Sequence, residues 1–287
     1  MHVISLIAPP ATLDPALVAS LQSAWGAVGD AVWLSPDEAA EFPVAVPPGN
    51  LGRVRADLAG MRVDVNCLPA GDRRKSLLIA DMDSTMIGQE CIDELADVAG
   101  VGARGAEITA RAMNGELDFE AALLERVGLL KGLPVSVIDE VIETRITLAP
   151  GGEVLVATMK AAGAVTALVS GGFTQFTGRI GNRLGFDRTR ANTLIEENGI
   201  LTGDVARPIL GGDAKVAALR EFSPDTSQAI AVGDGANDLG LIGLAGLGVA
   251  LHAKPLVAAA APVRIDHGTL EALLFLQGYS RDEFARV

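Results

Sequence analysis

The stretch IADMDSTMI, Ile79 to Ile87, follows the apolar SLL at 76–78 and brings a strand-like run to an abrupt end on two carboxylates, Asp81 and Asp83. In an extended chain side chains alternate between faces, so residues i and i+2 share one. Both acids are therefore expected on the same side at the end of a buried strand. Two like charges that close need a counter-charge or a proton. Asp, Ser and Thr are also ordinary residues at a strand exit or a helix N-cap, so the motif alone decides nothing.

The 287 residues are 49% hydrophobic and 21% charged, which suits a globular chain with a sizeable core and, at this length, two domains. A formal net charge of −13 repels polyanions and sets nucleic acid aside as a partner. A small anionic substrate then needs a local cationic pocket or a metal. Two cysteines, Cys67 and Cys91, argue against a disulfide framework and read as small buried hydrophobes in a reducing compartment. The N-terminal MHVISLIAPPATLDPALV has no basic run ahead of an apolar core, so the expectation is a cytoplasmic chain without a signal peptide. The most apolar tract, LGLIGLAGLGVAL at 239–251, is shorter than the about 20 residues of a membrane span and reads as core.

Residues 1–70 read as a small α+β unit of their own, without obvious catalytic residues. HVISLIA (2–8), AVWL (31–34) and MRVDVNCL (61–68) are strand candidates, and 15–25 is a helix candidate behind an Asp14 cap. EFPVAVPPGN (41–50) is rich in turn formers and is expected to be a connection. GDRRK (71–75) reads as a linker whose three positive charges are solvated.

From Ser76 onward apolar strands alternate with helical segments, the pattern of a parallel α/β sheet. SLLIADMD (76–83), AVTALVSGG (164–172) and AIAVGDGAND (229–238) are aliphatic or β-branched runs, each ending in small polar or acidic residues. Such runs mark strands buried on both faces, and open parallel sheets hold ligands beyond the carboxyl ends of their strands. Asp81, Asp83, Ser170, Asp234 and Asp238 are thus expected at one edge.

Between the first two runs, residues 88–148 carry only helical periodicity: ECIDELADVAG, ARGAEITARAM, LDFEAALLERVGLLKG and PVSVIDEVIE, the last with Pro134 at its first helical position. The segment is far too long for a connecting loop and reads as a helical insert covering the crevice. At about 100° per residue, Phe119, Leu123, Arg126 and Leu130 fall in one stripe. Arg126 then either snorkels outward or pairs with a neighbour such as Glu120 or Glu125, or it grips a substrate carboxylate bidentately.

Asp81, Asp83, Asp234 and Asp238 at one strand edge are untenable without a cation of high charge density. Oxygen donors with no His or Cys nearby point to Mg²⁺ rather than zinc. The glycines of VSGGF (169–173) and GDGAND (233–238) bring backbone N–H groups toward an anion, Ser170 adds a hydroxyl, and Lys215 a point charge. Together these make a phosphoryl-binding set. One of the paired carboxylates is then suited to attack phosphorus, and the other to protonate the leaving oxygen and activate water. Each motif alone has a plainer reading: GDGAND as a turn or an incomplete calcium loop, VSGG as any strand exit, Lys215 as a surface helix residue.

In this order and combination, DMDST (81–85), VSGGF, Lys215 and GDGAND resemble the haloacid dehalogenase (HAD) superfamily of phosphohydrolases. DMDSTMIGQECIDELA, FEAALLERVGLLKGL, ANTLIEENGILTG (191–203) and the ending of GLGVALHAKP are similar, more narrowly, to its phosphoserine phosphatase family, from about Ser76 to the C-terminus. The resemblance implies an α/β fold with a Rossmann-like parallel-sheet core (76–287) and a helical cap (about 88–148) inserted after the first core strand, beside the small N-terminal α+β domain (1–70). It also implies Mg²⁺ dependence and a phosphoaspartate intermediate. Carried over by position, it makes Asp81 the nucleophile and Asp83 the general acid/base. Mg²⁺ would be held by the Asp81 carboxylate, the Asp83 backbone carbonyl and Asp234, with Asp238 supporting the metal shell and Asn237 the site. Ser170, Gly171 and Lys215 hold the phosphate, Glu90 receives the substrate ammonium, Arg126 its carboxylate, and Phe119 closes the pocket. Gly88 stands where the family pattern is bulkier and is expected to loosen the cap hinge.

The implied reaction is hydrolysis of O-phosphoserine, in serine biosynthesis. Its phosphate, ammonium and carboxylate correspond to the metal and lysine, to Glu90 and to Arg126. Rival readings keep the core and change the cap: a HAD phosphotransferase, or a phosphatase for another small phosphomonoester. A catalytically silent phosphoamino-acid sensor is disfavoured because binding needs no nucleophile, and a P-type ion pump because membrane spans are missing. Three roles stay open for residues 1–70: binding serine as a regulator, forming a homodimer, or stabilising the fold.

Overall fold

A computed structural model describes residues 1–113 and 117–287. The N-terminal unit runs β1 (His2–Ile7), α1 (Pro15–Ala24), β2 (Val32–Ser35), β3 (Ala39–Val44), α2 (Leu51–Leu58) and β4 (Asp64–Pro69). Its strands form an antiparallel sheet in the order β2-β3-β1-β4. Ile4, Leu6, Phe42, Val44 and Val65 meet Val18 and Leu21 of α1 in one core, so strand and helix periodicities agree on the buried face. Asp14 caps α1 by accepting the Ala16 N–H at 2.8 Å.

EFPVAV is not the connection expected, because its first four residues belong to β3. Pro43 is tolerated there because its carbonyl accepts from Val28, on the side where β2, pairing only as far as Glu41, has already ended. The missing N–H therefore interrupts no ladder.

The second unit comprises β5 (Leu77–Ala80), α3 (Cys91–Val98), α4 (Gly102–Met113), α5 (Phe119–Gly128), α6 (Ser136–Thr144), α7 (Gly152–Ala161), β6 (Val165–Phe173) and α8 (Thr174–Leu184). It continues through β7 (Arg188–Asn192), β8 (Leu194–Glu197), β9 (Ile200–Val205), α9 (Gly212–Phe222), β10 (Ala229–Gly233) and α10 (Leu239–Leu244). It ends with β11 (Leu247–Leu251), α11 (Pro255–Ala260), β12 (Val263–Ile265) and α12 (Ala272–Leu276). Six strands form a parallel sheet in the order β12-β11-β10-β5-β6-β7. The first strand in sequence, β5, lies between β10 and β6, where the strand order reverses and a crevice must open. Leu77 and Ile79 of β5 pack toward Ala218, Leu219 and Leu241 of α9 and α10. Leu78 and Ala80 face α7, α8 and α12 through Leu155, Phe176 and Leu274. Helices on both faces explain why these strands are apolar at every position.

Helices α3 to α6 form the insert after β5. Pro134 is not the first residue of α6: it bridges to Ile200, and the helix begins two residues later. At Gly88 the hinge is a short paired segment. The two connecting chains pair there through Gly88 N–H to Thr147 O (3.0 Å) and Ala149 N–H to Met86 O (2.9 Å). The Gln89 side chain also accepts the Thr147 N–H at 2.9 Å.

Of the linker charges Arg73 is withdrawn from solvent, whereas Arg74 stays 52% exposed. Arg73 forms a two-pronged pair with Glu41 at 2.6 and 2.7 Å. Arg74 lies over Tyr279 and bonds Glu283, and Lys75 Nζ donates to the carbonyls of Asp72 and Ser227. The two units meet where the Asn66 side chain accepts the Arg264 N–H (3.1 Å) and donates to its carbonyl (2.9 Å), in place of a neighbouring strand for β12.

Candidate active site

Strand register assembles the site. Ala80 lies opposite Leu168 of β6 and Val232 of β10. One step further the Asp81 N–H still bonds the Val232 carbonyl at 3.0 Å. Asp81 is therefore level with Gly233 and Val169, and Asp234 and Ser170 follow just beyond. Side-chain parity aims Asp81 at the α9 side, and Lys215 of α9 meets it: Nζ is 2.8 Å from Asp81 Oδ2 and 2.7 Å from Asp238 Oδ1, with none of its side chain exposed. Burial pulls the Lys215 ammonium down, but Asp81 and Asp238 together hold it above its ordinary value.

Asp81 and Asp83 both reach the cavity, but not on a continued strand. β5 ends at Ala80, and the N–H groups of Thr85, Met86 and Ile87 all turn back to the Met82 carbonyl. The Asp83 carboxyl instead accepts from Cys91 N–H (2.8 Å) and Ser170 Oγ (3.1 Å). Burial first, then the charges of Glu90 and Asp81, raise it to about 7. Glycine at 172 is a geometric requirement, because a Cβ there would stand 2.6 Å from Asp83 Oδ2.

Asp81, Asp234 and Asp238 each offer a carboxylate oxygen, all within 4.8 Å of one another. Burial and the Asp81 charge raise Asp234 to about 6 and Asp238 to about 7. A buried all-oxygen cluster carrying this repulsion fits a hard divalent cation. Asp238 has both oxygens engaged, by Lys215 and by the Gly235 N–H at 3.2 Å, so it is placed to support the cluster from behind. Neither Lys215 nor Asp238 lines the open cavity.

That cavity holds about 810 Å³ between core and insert, and Asp81, Asp83, Glu90, Phe119, Arg126, Ser170, Gly171, Asp234 and Asn237 all line it. Glu90 accepts from Ser84 Oγ at 2.8 Å. Phe119, 42% exposed, reaches from the insert across the crevice: its ring atoms lie 3.2 to 3.6 Å from where a Cβ would stand on Gly171 or Gly211. Arg126 is mostly buried, at 19% exposure, and its partner is Asp93, with Nη2 to Oδ1 at 2.6 Å. Glu120 and Glu125, its neighbours along the helix, turn elsewhere, Glu120 to Arg207 and Glu125 to Arg111.

Several site residues escaped sequence reasoning. Thr85 Oγ1 approaches Asp234 Oδ1 at 3.4 Å, and Lys254 Nζ lies 3.9 Å from Asp234 Oδ2 at the cavity wall. Asn192 of β7 ties the end of β6 to the segment before α9 by donating to the Gly171 carbonyl (2.8 Å) and accepting the Leu210 N–H (2.7 Å). The AKP segment at the end of GLGVALHAKP is the one sequence signal that pointed toward Lys254.

A family model of haloacid dehalogenase-like hydrolases matches residues 78–242, more than half of the chain. A phosphoserine phosphatase of Polaromonas is 50% identical over 211 residues, which cover 70% of this chain and 89% of that protein. One from Streptomyces coelicolor is 43% identical over 79% of this chain, which spans only 57% of that longer protein. Among solved structures, a HAD family hydrolase of Salmonella enterica superposes with a TM-score of 0.87 at 31% identity, covering 99% of this chain and all of the other. A phosphoserine phosphatase carrying a phospho-aspartyl intermediate analogue gives a TM-score of 0.66 at 40% identity, covering 70% of this chain and 98% of that one.

Proposed function

The chain belongs to the haloacid dehalogenase-like hydrolases, and from that premise we propose that it is a Mg²⁺-dependent phosphoserine phosphatase, hydrolysing O-phosphoserine to serine and phosphate. The carrying observation is the composition of one cavity: Asp81, Asp83 and Ser170 on the core side, Glu90 and Arg126 on the cap side. Glu90 and Arg126 complement the substrate's ammonium and carboxylate, and the phosphate is complemented by the Mg²⁺ that Asp81 and Asp234 would hold.

When bound, Mg²⁺ supplies the positive charge that lets Asp81 and Asp234 stay ionised beside a phosphate dianion. Asp81 attacks phosphorus, forming an aspartyl phosphate as the bond to the serine oxygen breaks. Asp83, with its proton held up to about pH 7, gives that proton to the leaving oxygen. As a carboxylate it then takes a proton from the water that attacks the aspartyl phosphate. Lys215, fixed against Asp81, holds a positive charge behind the nucleophile, and Ser170 and the Gly171 backbone supply donors to the phosphoryl oxygens. The cap over this set excludes water until the covalent step is complete. The same reading puts the reaction in serine biosynthesis and in the cytoplasm.

Phosphate release from phosphoserine, with Mg²⁺ and with EDTA, tests it. Release is expected only with the metal, and Asp81→Asn is expected to abolish it. Hydrolysis by Asp81→Asn would remove the covalent mechanism. Phosphoserine no better than an aryl phosphate would leave only the superfamily chemistry.

A further inference from the structure

We propose that Asp93 is a positioning residue that sets substrate selectivity by holding the Arg126 guanidinium in the cavity wall. The proposal rests on the reading of Arg126 as the carboxylate-binding group and deepens it. Arg126 comes from α5 and Asp93 from the first turn of α3, so their 2.6 Å bond crosses two cap helices. Asp93 does not line the cavity, whereas Arg126 does. The bond engages Nη2 and leaves the buried Nε with no hydrogen-bond acceptor among the described residues. A guanidinium has five donors in a fixed plane, so anchoring one nitrogen fixes where the others point.

Glu90 and Asp93 lie three residues apart at the start of the same helix, one facing the cavity and the other gripping Arg126. Helix α3 thereby sets the spacing between the group for the substrate's ammonium and the group for its carboxylate. Asp93 is half exposed, at 49%, so removing its carboxylate opens no cavity in the core.

The test compares phosphoserine with phosphoethanolamine, which keeps the phosphate and ammonium but lacks the carboxylate. Wild type, Asp93→Ala, Asp93→Asn, Arg126→Ala and the Asp93→Ala/Arg126→Ala double variant are assayed with Mg²⁺. Asp93→Ala is expected to lower kcat/KM for phosphoserine about tenfold, mainly through KM, and to leave phosphoethanolamine unchanged. Asp93→Asn, which keeps an acceptor oxygen, is expected to recover part of the loss, and the double variant to be no worse than Arg126→Ala. Equal losses for both substrates would show a merely structural role and overturn the proposal. If Arg126→Ala itself leaves the substrate ratio unchanged, the reading of Arg126 fails first. If Arg126→Ala collapses the ratio and Asp93→Ala does not, the failure belongs to the proposal alone.

Discussion

One ammonium, that of Lys215, is shared by two buried carboxylates, and the site's electrostatics turn on it. Replacing it with methionine keeps the volume and leaves Asp81 and Asp238 without their counter-charge. Breaking a buried pair in this way costs about 3–5 kcal/mol, so urea unfolding of Lys215→Met without metal is expected to move to clearly lower midpoint. An unchanged midpoint would mean that the carboxylates find protons or water instead. At Gly172 the expectation is kinetic. A methyl group placed 2.6 Å from Asp83 Oδ2 displaces the proton donor, and misplacement of that order can lower rate by about 10². Gly172→Ala should therefore lose kcat while keeping its KM for phosphoserine; parent-like kcat would mean that Asp83 needs no such exact placement. Asp81, Asp234 and Ser170 were legible in the sequence because strand ends carry them to one edge. The seating of Asp83 against Cys91 and Ser170 was not, because it depends on a turn folding back on the Met82 carbonyl. The pairings of Arg126 with Asp93 and of Asn192 with Gly171 join residues from separate elements and leave no local pattern.

Strands buried on both faces announced themselves as unbroken apolar runs, which is why β5, β6 and β10 were legible and with them the sheet that holds the site. β7 was not: RTRAN lies at the sheet edge and is mostly polar. β3 was hidden by a proline whose lost N–H faces away from β1. Another feature visible only in three dimensions is how far the cap extends. The connection between α5 and α6 adds itself to the β8–β9 hairpin: Gly132 N–H bonds Leu201 O, Leu201 N–H bonds Leu133 O, and Val135 N–H bonds Gly199 O, at 2.8 to 2.9 Å. The hairpin belongs to the core by sequence and is tied to the cap by hydrogen bonds, so cap motion should carry it along. Hydrogen exchange of Asp81→Asn with and without phosphoserine checks this. The amides of Gly132, Val135 and Leu201 are expected to gain protection together with those of the cap helices. Protection confined to the helices would show that the cap moves independently of the hairpin.

Across the whole molecule the sequence divided the chain into a small α+β unit and a larger α/β unit but misjudged how they are joined. Arg73 of the linker, expected to be solvated, is largely buried against Glu41, and Arg281 joins Glu38 of the N-terminal unit to Glu271 of the core. Such ties let unfolding of the two units be coupled, and the active-site carboxylates then bear on the stability of the entire chain. Asp83, Asp234 and Asp238 are raised to about 7, 6 and 7, whereas a carboxyl in an unfolded chain ionises near about 4. Between those values the native protein keeps protons that the unfolded chain has lost, so stability falls as pH rises across this window. Asp64, which burial also raises, lies outside the site and adds to the decline. Glu283, lowered by the Ser280 N–H, and Asp225, lowered by Ser227, act only at more acid pH, while Lys215 and the raised Cys91 thiol act only at more alkaline pH. In EDTA the melting temperature is therefore expected to fall between about pH 5 and pH 8, by on the order of 10 °C for a loss of several kcal/mol in a chain of this size. Mg²⁺ binds the ionised carboxylates and displaces their protons, so saturating metal should flatten the decline and raise the melting temperature most at the alkaline end of the window. A decline of equal size with and without metal would place the responsible carboxyls outside the site, and stability rising with pH in EDTA would contradict the raised values themselves.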